Sequence, residues 1–206
     1  MPQRRVLVLL AHPVLERSRI QRRLADAVRD VPGVTVHDLY EAYPGFDIEP
    51  VREQVLLAEH DVIVFQHPFY WYSTPAILKE WQDLVLEHGW AYGRQGRALE
   101  GKLTFNALST GGREQAYRPG GFNRFTVRQL LAPWEQTAHL CRMRYLAPFV
   151  VHGAHWLETE SQVRPFAADY RRLLEALRDD HVDLERAAAA ERLNESLDAV
   201  LVGGAA

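Results

Sequence analysis

The stretch VIVFQHPFYWYSTPAILKEW, from Val62 to Trp81, decides the fold. Its apolar run, Val62-Ile63-Val64-Phe65, is a buried strand, and it opens into a polar, proline-punctuated loop. That loop holds Phe69, Tyr70, Trp71 and Tyr72 in succession. After Pro75, residues Ile77, Leu78, Trp81, Leu84 and Val85 recur at helical spacing on one face. The pattern is strand, loop, packing helix. In open α/β sheets the crevice at the carboxyl ends of such strands is where ligands bind. Consecutive aromatics on a loop cannot all point into one core, so some of them line a surface suited to a flat ligand.

Working outward, Val6 to Ala11 is continuously apolar, as for a central parallel strand, and ends at His12-Pro13, where proline cannot continue a ladder. A helix is expected from about Ser18, with Ile20, Leu24, Ala27, Val28 and Val31 on one side. Ser18 and Gln21 stand at capping-box spacing. A second strand is expected at Val34 to Leu39, a turn-rich loop over Tyr40 to Glu49, and a helix over Pro50 to Glu59. Beyond the central stretch comes the glycine-punctuated loop Gly89 to Gly101, a length that is usually functional or buttressed by a partner. A fourth strand, Leu103 to Leu108, enters Ser109-Thr110-Gly111-Gly112. Val127, Leu130, Leu131 and Trp134 mark a helix, Ala147 to His152 a fifth strand, and Val163 to Leu177 a clean amphipathic helix. Strands alternating with helices imply a parallel doubly wound α/β sheet. Five strands favour a flavodoxin-like three-layer sandwich of order 2-1-3-4-5.

The 206 residues suit one domain, read as 1–180, with residues 181–206 as a C-terminal helical extension built on Leu184, Ala188, Leu193, Leu197 and Leu201, and a Gly-Ala end that is expected to fray. A net charge of -3 gives no electrostatic case for nucleic acid. The single cysteine, Cys141, fits a reducing cytosol. The apolar run near the N-terminus is too short for a membrane span and reads as the first strand rather than a targeting segment. No GxGxxG, CxxC, HExxH or GxSxG pattern occurs, so a Rossmann-type dinucleotide site, a metal site and a hydrolase elbow are not expected.

Doubly wound topology puts the loops after strands 1, 3 and 4 at one sheet edge. The first opens a helix whose N–H groups and dipole suit a phosphate, with His12 and Arg17 or Arg19 adding charge. Ser18 and Gln21 serve equally well as plain caps. The second offers aromatic faces. The third pairs hydroxyls with glycines that let a backbone approach a ligand. Together they fit a phosphorylated planar cofactor such as FMN.

With AHP…S in the first loop, QHPFYWYSTPAILKEWQDLV…HGWAYG in the middle and LSTGG in the third, the sequence resembles the FMN-dependent NAD(P)H:quinone reductase family. LYEAYPGFDIE further resembles its KefF-like branch, the ancillary subunits of glutathione-regulated potassium-efflux systems. The resemblance covers roughly Val6 to Leu177. It implies that His12, Ser18, Arg19, Ile20 and Gln21 hold the FMN phosphate. Phe69, Tyr70, Trp71 and Tyr72 would hold the isoalloxazine ring. Ser109, Thr110, Gly111 and Gly112 would meet its polar edge, the glycine amides stabilising charge during catalysis, with Tyr117 beside the quinone. Gln21 stands where the family often has Asn, Ser109 where Thr is common, and Asn123 near where some members carry a His. The resemblance also implies a ping-pong cycle with transient NAD(P)H, a homodimer, and a cytoplasmic location, peripheral to the membrane if a potassium-efflux protein is the partner. A channel-regulating subunit and a bare flavodoxin-type electron carrier are the competing readings.

Overall fold

The computed structural model describes residues 3–195 and 197–203. Its central sheet comprises β1 (Val6–Leu10), β2 (Val34–Asp38), β3 (Val62–Pro68), β4 (Leu103–Ser109), β5 (Arg144–Tyr145) and β6 (Phe149–Val151). All pairings are parallel, in the order β2-β1-β3-β4-β5, with β6 also on β4. The strand expected over Ala147 to His152 is the shorter β6, and β5, which was not expected, precedes it on the same β4 edge. Leu146 still donates to the Thr104 carbonyl of β4, but Ala147 gives its N–H to Ala187 in the C-terminal segment and Pro148 has none to give, so the ladder is broken between β5 and β6.

Alternation sorts the strand side chains into two cores. Val6, Val8, Val62, Val64, Phe105, Ala107, Phe149 and Val151 face α1 (Gln21–Asp26) and α7 (Glu160–Arg178). Leu7, Leu9, Ile63, Phe65, Leu108 and Val150 face the other layer, which contains α3 (Pro50–Glu59), α4 (Ala76–Val85) and α6 (Ala132–Leu140). α3 keeps the predicted bounds, starting on the proline that suits a first helical turn. On α4 the predicted face is buried except Leu84, which is 37% exposed at its margin.

Four local departures have physical reasons. α1 begins three residues later than expected because Leu15–Arg17 forms a 3-10 turn ahead of it. The loop after β2 contains a short α2 (Leu39–Ala42), capped by the Asp38 carboxylate, which accepts from the N–H groups of Tyr40 and Glu41. The single helix expected around residues 127–134 is split into α5 (Val127–Leu130) and α6, with Pro133 starting the second. The C-terminal extension is not one helix but α8 (Leu184–Ala189) and α9 (Leu197–Val200). Its inward residues are Val182, Ala187, Leu193, Leu197 and Val200, so Leu184, Ala188 and Leu201 of the predicted stripe lie only partly buried around them. The predicted fraying of the terminal Gly-Ala falls largely on residues 204–206, outside the described residues.

The loop Gly89 to Gly101 packs against its own chain. The Arg142 guanidinium donates to the carbonyls of Gly96 and Gly93, and Ala91 and Leu99 are buried. Among the described residues, no helix is long and apolar enough to cross a membrane.

Candidate functional site

Parallel register brings the strand ends together. Ala11 donates to Gln66, Phe69 to Ser109, and Thr110 to Val151. The loops after β1, β3, β4 and β6 consequently share one edge of the sheet and enclose a cavity of about 710 Å³, within the roughly 300–1,000 Å³ usual for small-molecule sites.

One wall comes from the loop after β1: His12, Ser18, Arg19 and Ile20 line it as anticipated, joined by Val14 and Arg17. Among the described residues, the main-chain N–H groups of Arg19 and Ile20 have no hydrogen-bond partner. Two arginines and two free donors make this end receptive to an anion. The His12 imidazole accepts from the Val14 N–H at 3.1 Å, and burial holds its pKa below the ordinary value. Only half of the expected capping box forms. The Ser18 hydroxyl accepts from the Gln21 N–H at 3.0 Å, but the Gln21 side chain turns inward.

That inward turn moves Gln21 from the predicted cavity lining to the structure beneath it. Its Nε2 donates to the His67 carbonyl at 2.8 Å and to Ser109 Oγ at 3.0 Å, bracing three loops from below. Its Oε1 is buried without a protein partner, as is Oε1 of Gln66. Beneath them lies a satisfied network. The His67 imidazole bonds the Pro68 carbonyl at 3.0 Å and pairs with the Asn106 amide at 3.1 Å, while Tyr145 donates to Asn106 at 2.6 Å.

The loop after β3 supplies the aromatic wall, Phe69, Tyr70 and Trp71, with Pro68 at its base. Phe69 is buried, whereas Trp71 is 93% exposed at the rim. Trp71 and Tyr72 have φ of 50° and 61°, left-handed conformations that cost bulky residues strain and concentrate at ligand clamps. Tyr72 turns away from the cavity and donates to Asn123 at 3.2 Å.

Ser109 and Gly111 line the third wall; Thr110 and Gly112 do not. The Thr110 hydroxyl donates to the Gly112 carbonyl at 2.8 Å and contacts His152 Nδ1 at 3.0 Å, which fixes the turn. Neither Gly111 nor Gly112 has a partner for its N–H among the described residues. A Cβ on Gly112 would come 3.1 Å from the Tyr117 ring. Tyr117 lies beside the cavity between Phe69 and His152, at centroid distances of 6.4 and 5.5 Å. Burial raises its phenol pKa and pushes the His152 imidazole down to about 4, so both stay neutral near pH 7.

Ala154 and His155, which complete the lining, were not anticipated. The signal was present: H-G-A-H follows the fifth apolar run, and in this topology that loop must reach the same edge. A Cβ on Gly111 would come 2.7 Å from His155 Nε2, so glycine there admits the histidine.

A family model described as flavodoxin-like fold matches residues 4–177. The KefG ancillary protein of the glutathione-regulated potassium-efflux system of Pectobacterium carotovorum is 47% identical over 165 residues, 79% of this chain and 90% of KefG. The uncharacterized NAD(P)H oxidoreductase YrkL of Bacillus subtilis is 42% identical over 177 residues, 86% of this chain and 99% of YrkL. Among solved structures, general stress protein 14 of Treponema denticola in complex with FMN has 39% identity and a TM-score of 0.79, covering 84% of this chain and 99% of its own. An NADPH-quinone reductase from P. pentosaceus has 35% identity and a TM-score of 0.74, covering 82% and 96%. A chain from Streptomycin violaceusniger described as a thermophilic tryptophan halogenase has 44% identity and a TM-score of 0.79, covering 82% and 97%.

Proposed function

Because the chain belongs to the flavodoxin-like fold family, we propose that it is an FMN-dependent NAD(P)H:quinone oxidoreductase working by a ping-pong cycle. The observation that carries this reading is one cavity lined, among the described residues, by unpartnered main-chain donors at two ends, Arg19 and Ile20 against Gly111, with an aromatic wall between. FMN has the matching parts, an anionic phosphate, a flat ring and a polar ring edge.

The roles follow from placement. Arg17, Arg19 and the adjoining N–H groups hold the phosphate, aided by Ser18. Phe69 and Tyr70 would hold the ring, with Trp71 at the rim of the cavity. The Gly111 amide would meet the ring edge, where a preorganised donor stabilises negative charge without reorganising. Tyr117, a phenol protonated at neutral pH whose pKa burial raises further, is a hydrogen-bond donor toward an acceptor seated beside it. Bound there, FMN supplies reversible two-electron storage, which lets NAD(P)H and a quinone use the same face in turn. Residues 1–180 form the proposed reductase unit, with 181–206 as its extension. Exposed Trp71, Phe122 and Phe125 suit burial against a second copy of the chain in a homodimer.

The FMN complex and the reductase names of relatives support this reading. The halogenase name of one relative finds no separate support in the cavity. The relatives named KefG favour a second, compatible role as ancillary subunit of a potassium-efflux protein, with the chain peripheral to the membrane through that partner. Co-purification with such a protein tests it.

The deciding experiment is a visible spectrum of the protein reconstituted with FMN, followed by anaerobic NAD(P)H and then a quinone. Bleaching by the nucleotide and recovery with the quinone is expected. Failure to bind flavin would sink the reading.

A further inference from the structure

The family model ends at residue 177, yet the chain beyond it is built into the fold. β6 pairs with β4 along one edge; its other edge would be left open. The C-terminal segment closes it. Ala147 donates to the Ala187 carbonyl and Leu193 to the Pro148 carbonyl, both at 2.9 Å. The Asn194 amide then does what a neighbouring strand would do, accepting from the Val150 N–H at 3.0 Å and donating to the Val150 carbonyl at 2.9 Å. The Arg128 guanidinium, from α5, donates to the carbonyls of Ala188 and Ala190. Val182, Ala187, Leu193, Leu197 and Val200 are buried in the same core as Phe149 and Tyr170.

The segment also holds two neighbouring loops, those after β4 and β6. Arg192 is 13% exposed at its side chain, and its guanidinium meets Glu114 at 2.9 Å and Glu195 at 2.9 Å. Glu114 begins the short turn Glu114–Ala116 that delivers Tyr117. Asn194 clamps Val150, two positions ahead of His152, in the strand whose exit loop carries Ala154 and His155. The two loops are already cross-linked. Gly153 donates to Gly112 and Ala154 to Thr110, each at 2.9 Å, and Thr110 contacts His152. The segment thus grips a wall made of two tied loops at one point on each.

We propose that Arg192 is a positioning residue for the site: through Glu114 it fixes the Glu114–Tyr117 turn, while Asn194 fixes the partner loop, so the C-terminal segment sets the acceptor wall of the cavity. The proposal deepens the reductase reading and rests on it for its kinetic consequence. The Arg192–Glu114 pair is too exposed on the Glu114 side to matter much for global stability, so its effect is on geometry.

The test uses the full chain with FMN, as wild type, Arg192→Ala, Arg192→Lys, Glu114→Gln and the Arg192→Ala/Glu114→Gln double variant. Glu114→Gln leaves the C-terminal packing untouched should Arg192→Ala fold poorly. The expected result is a KM for the quinone raised roughly three- to tenfold, with kcat and flavin content nearly unchanged, by Arg192→Ala and by Glu114→Gln. The double variant should be no worse than either single one, and Arg192→Lys should recover part of the loss. In parallel, amide hydrogen exchange on the flavin-free protein should quicken in residues 110–118 and stay unchanged in α7. Unchanged exchange in 110–118, or single-variant effects that multiply in the double variant, would overturn the proposal. If the wild type itself neither binds flavin nor turns over, the reductase reading falls, and the exchange measurement still decides whether Arg192 holds the loop.

Discussion

Nε2 of Gln21 lies 3.0 Å from Oγ of Ser109, joining the loops after β1 and β4 across 88 positions of sequence. The same amide nitrogen reaches the His67 carbonyl, so one buried side chain holds three cavity-forming loops together. Replacing Gln21 with alanine leaves that carbonyl and hydroxyl without their donor. The cost of stranding buried polar groups is about 1–3 kcal/mol. Thermal or urea unfolding of Gln21→Ala should show a loss of that order, together with weaker FMN binding in a fluorescence titration. Unchanged flavin affinity would mean that the brace does not govern the cavity.

Trp71 combines 93% exposure with φ of 50°. It contributes little burial to the fold, and its backbone conformation suits glycine better. Trp71→Gly is therefore expected to leave stability unchanged or raise it by up to about 1 kcal/mol. It should at the same time weaken flavin or raise the quinone KM several-fold, because the rim cover is gone. A clear drop in melting temperature would show that the side chain packs in the fold rather than over a ligand.

Glu53 is fully buried yet accepts three hydrogen bonds, from His37 at 2.9 Å, Tyr43 at 2.6 Å and Trp81 at 2.8 Å. Burial pushes its pKa up, but the donors His37, Tyr43 and Trp81 together outweigh that and hold it below the ordinary value. A carboxyl depressed in the folded state stabilises above its unfolded pKa, and the contribution disappears as pH falls through the folded one. Glu53→Gln should cost about 1–3 kcal/mol at pH 7. The gap to wild type should narrow in acid, read by tryptophan fluorescence during urea unfolding at a series of pH values.

Burial lowers the His67 imidazole to about 4 from an ordinary 6.5. Between those values the unfolded chain binds the proton and the folded chain does not. Stability is then complete above pH 6.5 and declines as pH falls toward 4, by on the order of 3 kcal/mol for this fully buried group. His152, lowered to about 4 chiefly by burial, works in the same direction. Urea midpoints of wild type should fall across this window, and those of His67→Gln should fall less steeply. Parallel curves would remove His67 as the cause.

The regular elements were legible because their signals are local. The apolar runs that became β1, β3 and β4, the proline starting α3, and the stripe on α7 each lie within a few residues of sequence. The placement of the three cavity loops followed, since sheet chirality and strand order put them at one edge. What escaped notice was non-local or short. The H-G-A-H loop carried its signal in topology rather than in residue type. β5 and β6 are too brief to show a period, and the break between them depends on Ala147 finding Ala187.

The sequence by itself determined the doubly wound sheet, the edge that holds the cavity and most of its lining, because hydrophobic periodicity and strand order leave few other ways to bury these runs. Only the tertiary structure decided how the polar residues are employed. Gln21 braces loops from beneath the cavity where spacing suggested a cap or a phosphate contact, and residues 181–195 close a sheet edge and grip two loops instead of forming one docked helix with 197–203. Such roles depend on which donor meets which acceptor across tens of residues, and a buried polar group takes whatever partner the packed chain brings within about 3 Å.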